Sequence, residues 1–159
     1  MVLMSDLIHS NNPFSSVELA TMRRVAGLMI PASAEYSMPS ADDDAIFGMI
    51  VARAGEAAAV IKTGLGVLDN LARERQSMAY VDLDDADAGQ LVEDLQGARE
   101  SFMRLLMSTI VQCYYQDDRV MVALDMEPRP PFPEGYEVEQ GDWSLLDPVK
   151  ARDKFYRTV

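Results

Sequence analysis

The chain has 159 residues, with 14 Lys and Arg against 26 Asp and Glu and a net charge of −12. At 48% hydrophobic it is not a mainly disordered chain, and its length allows one domain whose core buries roughly 70% of the unfolded surface. The negative field repels phosphate backbones and anionic membrane surfaces, which excludes nucleic acid as a partner, and no apolar run approaches the ~20 residues that span a bilayer.

The first predicted helix covers residues 16–30. Ser15 caps it, Glu18 completes a capping box, and Pro31 ends it. Val17, Leu19, Met22, Val25, Ala26, Leu28 and Met29 form a broad apolar face. Arg23-Arg24, followed by apolar residues and Ala32-Ser33-Ala34, imitates a twin-arginine export signal, but the apolar run is short and the helix explains it better.

After a loop over residues 31–40, a second helix is expected from near Ala41. Asp42, Asp43 and Asp44 then occupy a first turn where the helix dipole favours anions. Gly55 separates it from a third helix over 56–76, in which Ile61, Leu65, Leu68 and Ala72 recur as a buried stripe flanked by Val60, Val67 and Leu71. Gly64 and Gly66 each cost such a helix about 1 kcal/mol relative to Ala, and close contact with another helix is the expected reason.

Asp84 or Asp85 caps a further helix through Leu91, Val92 and Leu95. Its continuation over 99–115 carries apolar residues nearly all round, with a thin polar stripe at Arg104, Ser108 and Gln112. Such a helix is expected to be enclosed by others at the centre of the fold. A short helix over 118–124 follows. With no strand alternation and no internal repeat, the fold class is all-α: a compact helical bundle over 1–126 and, in the same domain, an extended proline- and aromatic-rich C-terminal tail over 127–159.

Catalytic and ligand-binding motifs fail on their own chemistry. Gly64-Leu65-Gly66 lacks the third glycine of a dinucleotide turn and lies within a helix, so no FAD site is expected in this chain. One Cys and one His, Cys113 and His9, exclude an internal disulfide, a Cys/His zinc site and a di-metal carboxylate bundle. Asp82, Asp84 and Glu93 fall at calcium-loop positions, but Ala86 and Asp87 replace a ligand and the obligatory glycine. Cys113, in an apolar helix, reads as a buried structural thiol. No catalytic, cofactor or metal residue is therefore assigned.

The tail is different. Pro128, Pro130, Pro131 and Pro133 hold an extended path, and the large apolar side chains beyond them need a surface to cover. Pro131, Phe132, Pro133, Tyr136, Trp143, Leu145 and Leu146 are the candidate partner-binding residues, aromatic anchors of the kind that carry interface energy. Asp147 as cap and Pro148 at the first helical position start a terminal helix with Val149, Phe155 and Tyr156. The tail either straps its own bundle or is shared with a partner; both hold if opposite faces are used.

Several segments together resemble one family. They are Leu28-Met29-Ile30-Pro31-Ala32, Pro39-Ser40-Ala41-Asp42, Tyr80 to Leu83, Tyr114-Tyr115 through Asp118-Arg119-Val120, Pro130-Pro131-Phe132-Pro133 and Gly141-Asp142-Trp143-Ser144. Their order over most of the chain resembles the small subunit (subunit 3, or gamma) of gluconate 2-dehydrogenase-type enzymes. The resemblance implies a non-catalytic accessory subunit in a heteromer. In such a complex the large subunit is of the glucose–methanol–choline type, carries FAD and the catalytic His, and oxidises a sugar, sugar acid or glycoside; some members add a cytochrome c subunit. Family small subunits often carry a twin-arginine signal. None precedes the first helix here, so the expectation is cytoplasmic as the sequence stands and periplasmic if such a signal has been removed. The alternative function is a free-standing small-molecule-binding domain or enzyme with a pocket in the bundle, using Arg104, Ser108 and Gln112.

Overall fold

Residues 12–97, 101–130, 135 and 141–153 are described by the computed structural model. Ser15 caps the first described helix as expected. Its hydroxyl accepts the Glu18 N–H at 3.3 Å, and the Glu18 carboxylate accepts the Ser15 N–H at 2.7 Å, starting α1 (Ser16–Met29). The chain then runs through α2 (Asp44–Ala54), a 3-10 turn (Gly55–Ala57), α3 (Ala58–Gln76), a second 3-10 turn (Tyr80–Asp82), α4 (Asp85–Gly97), α5 (Ser101–Tyr114) and α6 (Asp118–Ala123). The fold is all-α. Among the described residues the sole extended pairing is one bridge between Ser33 and Met38.

α2 packs on α5, α1 on α3 and α4, and α3 on both α4 and α5. Met22 and Val25 of α1, Ile46 and Ile50 of α2, Ile61 and Leu68 of α3, and Leu106 and Ile110 of α5 are all fully buried in one core. Burying a side chain of this size stabilises by about 1.5–3 kcal/mol each, which is why these helices persist although several are short. Gly64 lies where α3 meets α5, and a Cβ placed there would stand 1.9 Å from a ring carbon of Phe102. The close-contact reading therefore holds for Gly64. It fails for Gly66, which is exposed with nothing within 4 Å of its Cβ position, and nothing in the structure explains that glycine.

The two neighbouring arginines of α1 are structural ties. Arg23 donates to the Asp42 carbonyl at 2.9 Å and to Asp44 at 2.8 Å, and its guanidinium lies 4.4 Å from the centre of the Phe47 ring. Arg24 donates to the carbonyls of Val81 and Leu83 and pairs with Asp85, so one side chain holds the start of α4 against α1. Between them, Tyr80 is fully buried and donates its hydroxyl to Ala88 O at 3.4 Å. Burial pushes that hydroxyl up to about 12.

Expectations for two helices need correction. α2 begins three residues later than expected, at Asp44: Asp43 has non-helical backbone (ψ 139°) and its carboxylate caps the helix by accepting the Ala45 N–H, while Ala41 is buried and donates its N–H to Ile30 O at 2.9 Å. The largest departure concerns α5. It is not enclosed: Phe102, Met103, Leu106, Ile110, Cys113 and Tyr114 face inward, while Leu105, Val111 and Tyr115 stand in solvent beside the polar stripe. Among the described residues of the first unit, α2, α3 and α4 pack on the buried side of α5.

The chain divides into two compact units, Met1–Pro128 and Arg129–Val159. In the second, Asp142 caps a 3-10 turn (Trp143–Leu146) by accepting the Ser144 N–H at 2.9 Å, and the turn runs directly into α7 (Asp147–Lys150). Asp147 consequently has helical geometry and is not a cap, which corrects the sequence reading. Phe155 and Tyr156, assigned to that helix, lie outside the described residues.

Candidate partner-binding site

Of the seven candidate residues, Pro131, Phe132, Pro133 and Tyr136 lie outside the described residues. Trp143, Leu145 and Leu146 share the 3-10 turn of the second unit. Trp143 is 68% exposed and Leu145 74% exposed, so both present nearly whole apolar side chains to solvent. The Asp142 carboxylate holds the turn that displays them, accepting from both the N–H and the hydroxyl of Ser144. Those two hydrogen bonds hold the Asp142 carboxyl below its usual range.

In the bundle, segments far apart in sequence converge on one corner. Pro39, Ser40 and Asp43 come from the loop before α2; Tyr114, Asp117 and Arg119 come from the junction of α5 and α6. The Tyr114 hydroxyl donates to Pro39 O at 2.9 Å, across 75 residues of sequence. Ser40 Oγ donates to Ile30 O at 3.2 Å, tying in the end of α1. The Arg119 guanidinium bridges two carboxylates: Nη1 and Nη2 donate to Asp43 at 3.1 and 2.6 Å, and Nε and Nη2 donate to Asp117 at 2.9 and 3.0 Å. Those same carboxylates cap the next two helices, Asp43 accepting the Ala45 N–H and Asp117 the Arg119 N–H. Planar, bidentate recognition of carboxylates suits a guanidinium and not an ammonium. The Arg119 hydrogen bonds hold Asp43 and Asp117 below the ordinary carboxylate range and drive the guanidinium's own proton affinity further up.

The outer side of this corner is apolar. Val122, Leu124 and Met126 are exposed, as is Tyr36 in the bridged loop before α2. Ser37 from that loop, with Asp118, Arg119, Val122 and Ala123 from α6, walls an open pocket of about 340 Å³. Sequence reasoning did not select these residues. A signal was nevertheless there: Val120, Met121 and Val122 are consecutive in a six-residue helix, which can turn only one side to a core. Val120 is the one buried.

A second concavity runs between α2 and α5, about 350 Å³ beside Cys113 and about 230 Å³ beside Thr109. It brings Ser108 and Gln112 together with Arg53 and Glu56; Arg104 is not among its walls. Arg53 and Glu56 pair with each other at 3.6 Å, and Gln112 donates to Ser108 at 3.1 Å. Cys113 is buried there, and desolvation pushes its thiol up, with Arg53 opposing, so it is a weak nucleophile.

Among the described residues no helix is long and apolar enough to cross a membrane, and no group of three or more His, Cys, Asp or Glu side chains is placed to hold a metal ion. No family model, no curated protein and no solved structure matches the chain.

Proposed function

We propose that this chain is a non-catalytic accessory subunit that binds and stabilises an FAD-dependent, glucose–methanol–choline-type large subunit acting on a sugar, sugar acid or glycoside. The observation that carries the reading is the pairing of resemblance with placement. The short segments that resemble the small-subunit family, from Ile30-Pro31 through Pro39-Ser40 to Tyr114 and Asp117–Arg119, are joined by hydrogen bonds at one corner. The exposed Trp143 and Leu145 supply aromatic and aliphatic anchors of the type that dominate protein interfaces. On this reading the flavin and the catalytic His belong to the partner, and this chain's part is complementarity.

Co-purification tests the proposal. The tagged chain, expressed in its native host, is expected to bring down a near-stoichiometric protein with flavin absorbance, and a haem band if a cytochrome joins the complex. A colourless chain recovered without a partner overturns the reading and makes ligand screening against the α2–α5 groove the next step.

A further inference from the structure

We propose that the pocket between Ser37 and α6 is a docking point for the large subunit. It takes one large apolar side chain from a partner segment that carries Lys or Arg on either side. This inference rests on the accessory-subunit reading and adds the surface and the chemistry of what meets it.

The apolar half of the argument is exposure on a rigid frame. Val122 is 58% exposed at the pocket wall, with Ala123 beside it. The opposite wall, at Ser37, is held by two backbone hydrogen bonds between Ser33 and Met38, at 3.0 and 2.9 Å. α6 is held by the Arg119 bridge to Asp43 and Asp117. A pocket whose walls are already fixed loses little freedom when it is filled.

The other half is charge. Asp118 lines the pocket, and Asp125 follows within one turn, its N–H bonded to Val122 O at 3.0 Å. Both are exposed. Arg119, the one cation among the described residues of the pocket wall, is already engaged by two carboxylates. The same arrangement recurs over the bundle: Arg23, Arg24, Arg53, Lys62, Arg73 and Arg75 are each paired with an acid. With those seven cations each held by an acid and a net charge of −12, this surface is complementary to a partner that brings cations of its own.

The test uses the full chain with the flavoprotein it co-purifies with. Val122→Arg removes the apolar wall and places a like charge against the incoming cations. It is expected to weaken the complex about 30-fold or more, the loss typical of an interface hot spot. Asp118→Asn with Asp125→Asn is expected to weaken it several-fold at low salt and hardly at all at high salt, because exposed charge pairs are screened. Val17→Arg, at an exposed position on α1, is the control and leaves binding unchanged. If Val122→Arg binds like wild type while Trp143→Ala releases the flavoprotein, the docking inference falls and the accessory reading stands. If the wild type captures no flavoprotein, the accessory reading falls and takes this inference with it. If Val122→Arg instead abolishes self-association, the occupant is a second copy of the chain and the proposal is overturned.

Discussion

The bundle and the described part of the C-terminal unit use similar side chains in opposite ways. In the bundle, Leu68, Leu106 and Ile110 are fully buried, and the packing of such faces supplies most of the stability of their helices. In the C-terminal unit, neither the 3-10 turn nor α7 buries a residue, and Trp143, Leu145 and Val149 are exposed. Local hydrogen bonds from the Ser144 N–H and hydroxyl to the Asp142 carboxylate keep the turn in shape. Apolar side chains in one region make the fold, and in the other they are displayed. Stability measurements and binding measurements should therefore respond to different residues.

The sharpest way to break that comparison is a pair of truncations read by thermal melting. Ile110→Ala should cost about 2–5 kcal/mol, since it opens a cavity in a fully buried site. Trp143→Ala should change the stability of the isolated chain by less than about 0.5 kcal/mol, and weaken partner binding by about 2 kcal/mol or more. A large loss of melting temperature in Trp143→Ala would mean that the tail straps its own bundle.

Within the bundle, Gly64→Ala drives a methyl group into the Phe102 ring and should cost about 1–3 kcal/mol. Combining it with Phe102→Leu should recover part of the loss, and simple additivity of the two would refute the clash as the cause. Gly66→Ala, two residues away, should raise stability by about 0.5–1 kcal/mol, because its Cβ meets nothing and only helix propensity changes.

The Arg119 corner gives an intermediate effect with a pH signature. Arg119→Met leaves the largely buried Asp117 without its guanidinium and should cost about 1–3 kcal/mol near neutral pH. Asp43 and Asp117 have depressed folded-state values, so their contribution is complete above the unfolded carboxylate value of about 4 and is lost as pH falls below it. Wild type should lose stability on acidification through that window, and Arg119→Met should lose less. Parallel acid limbs in the two proteins would refute the assignment.

Much of the bundle was legible in the sequence. The Ser15–Glu18 box, the stop after Ile30, the stripe of Ile61, Leu65, Leu68 and Ala72, and the Asp118 helix all appear where local rules place them. Those features depend on neighbours three or four residues away, and a linear pattern records them. The places where the reading failed depend on partners far along the chain. Ala41, expected to open α2, is instead buried and bonds back to Ile30, and the helix starts three residues later. The outer side of α5 stayed exposed because, among the described residues, α2, α3 and α4 meet only its buried side, a matter of where they pack. Of the candidate site, the tail residues were visible as aromatic and proline chemistry, whereas the pocket at Val122 was not.

By itself, then, the amino-acid sequence determined the all-α class, the Ser15–Glu18 capping box and the surplus of acid, because composition, periodicity and that box are local properties of the chain. Tertiary structure alone decided that Gly64 and not Gly66 is a contact, and that Arg23 and Arg24 are ties between elements. It also joined Tyr114 to Pro39 and Arg119 to Asp43 at one corner. Each of those depends on a distance in space between residues that the chain itself keeps far apart.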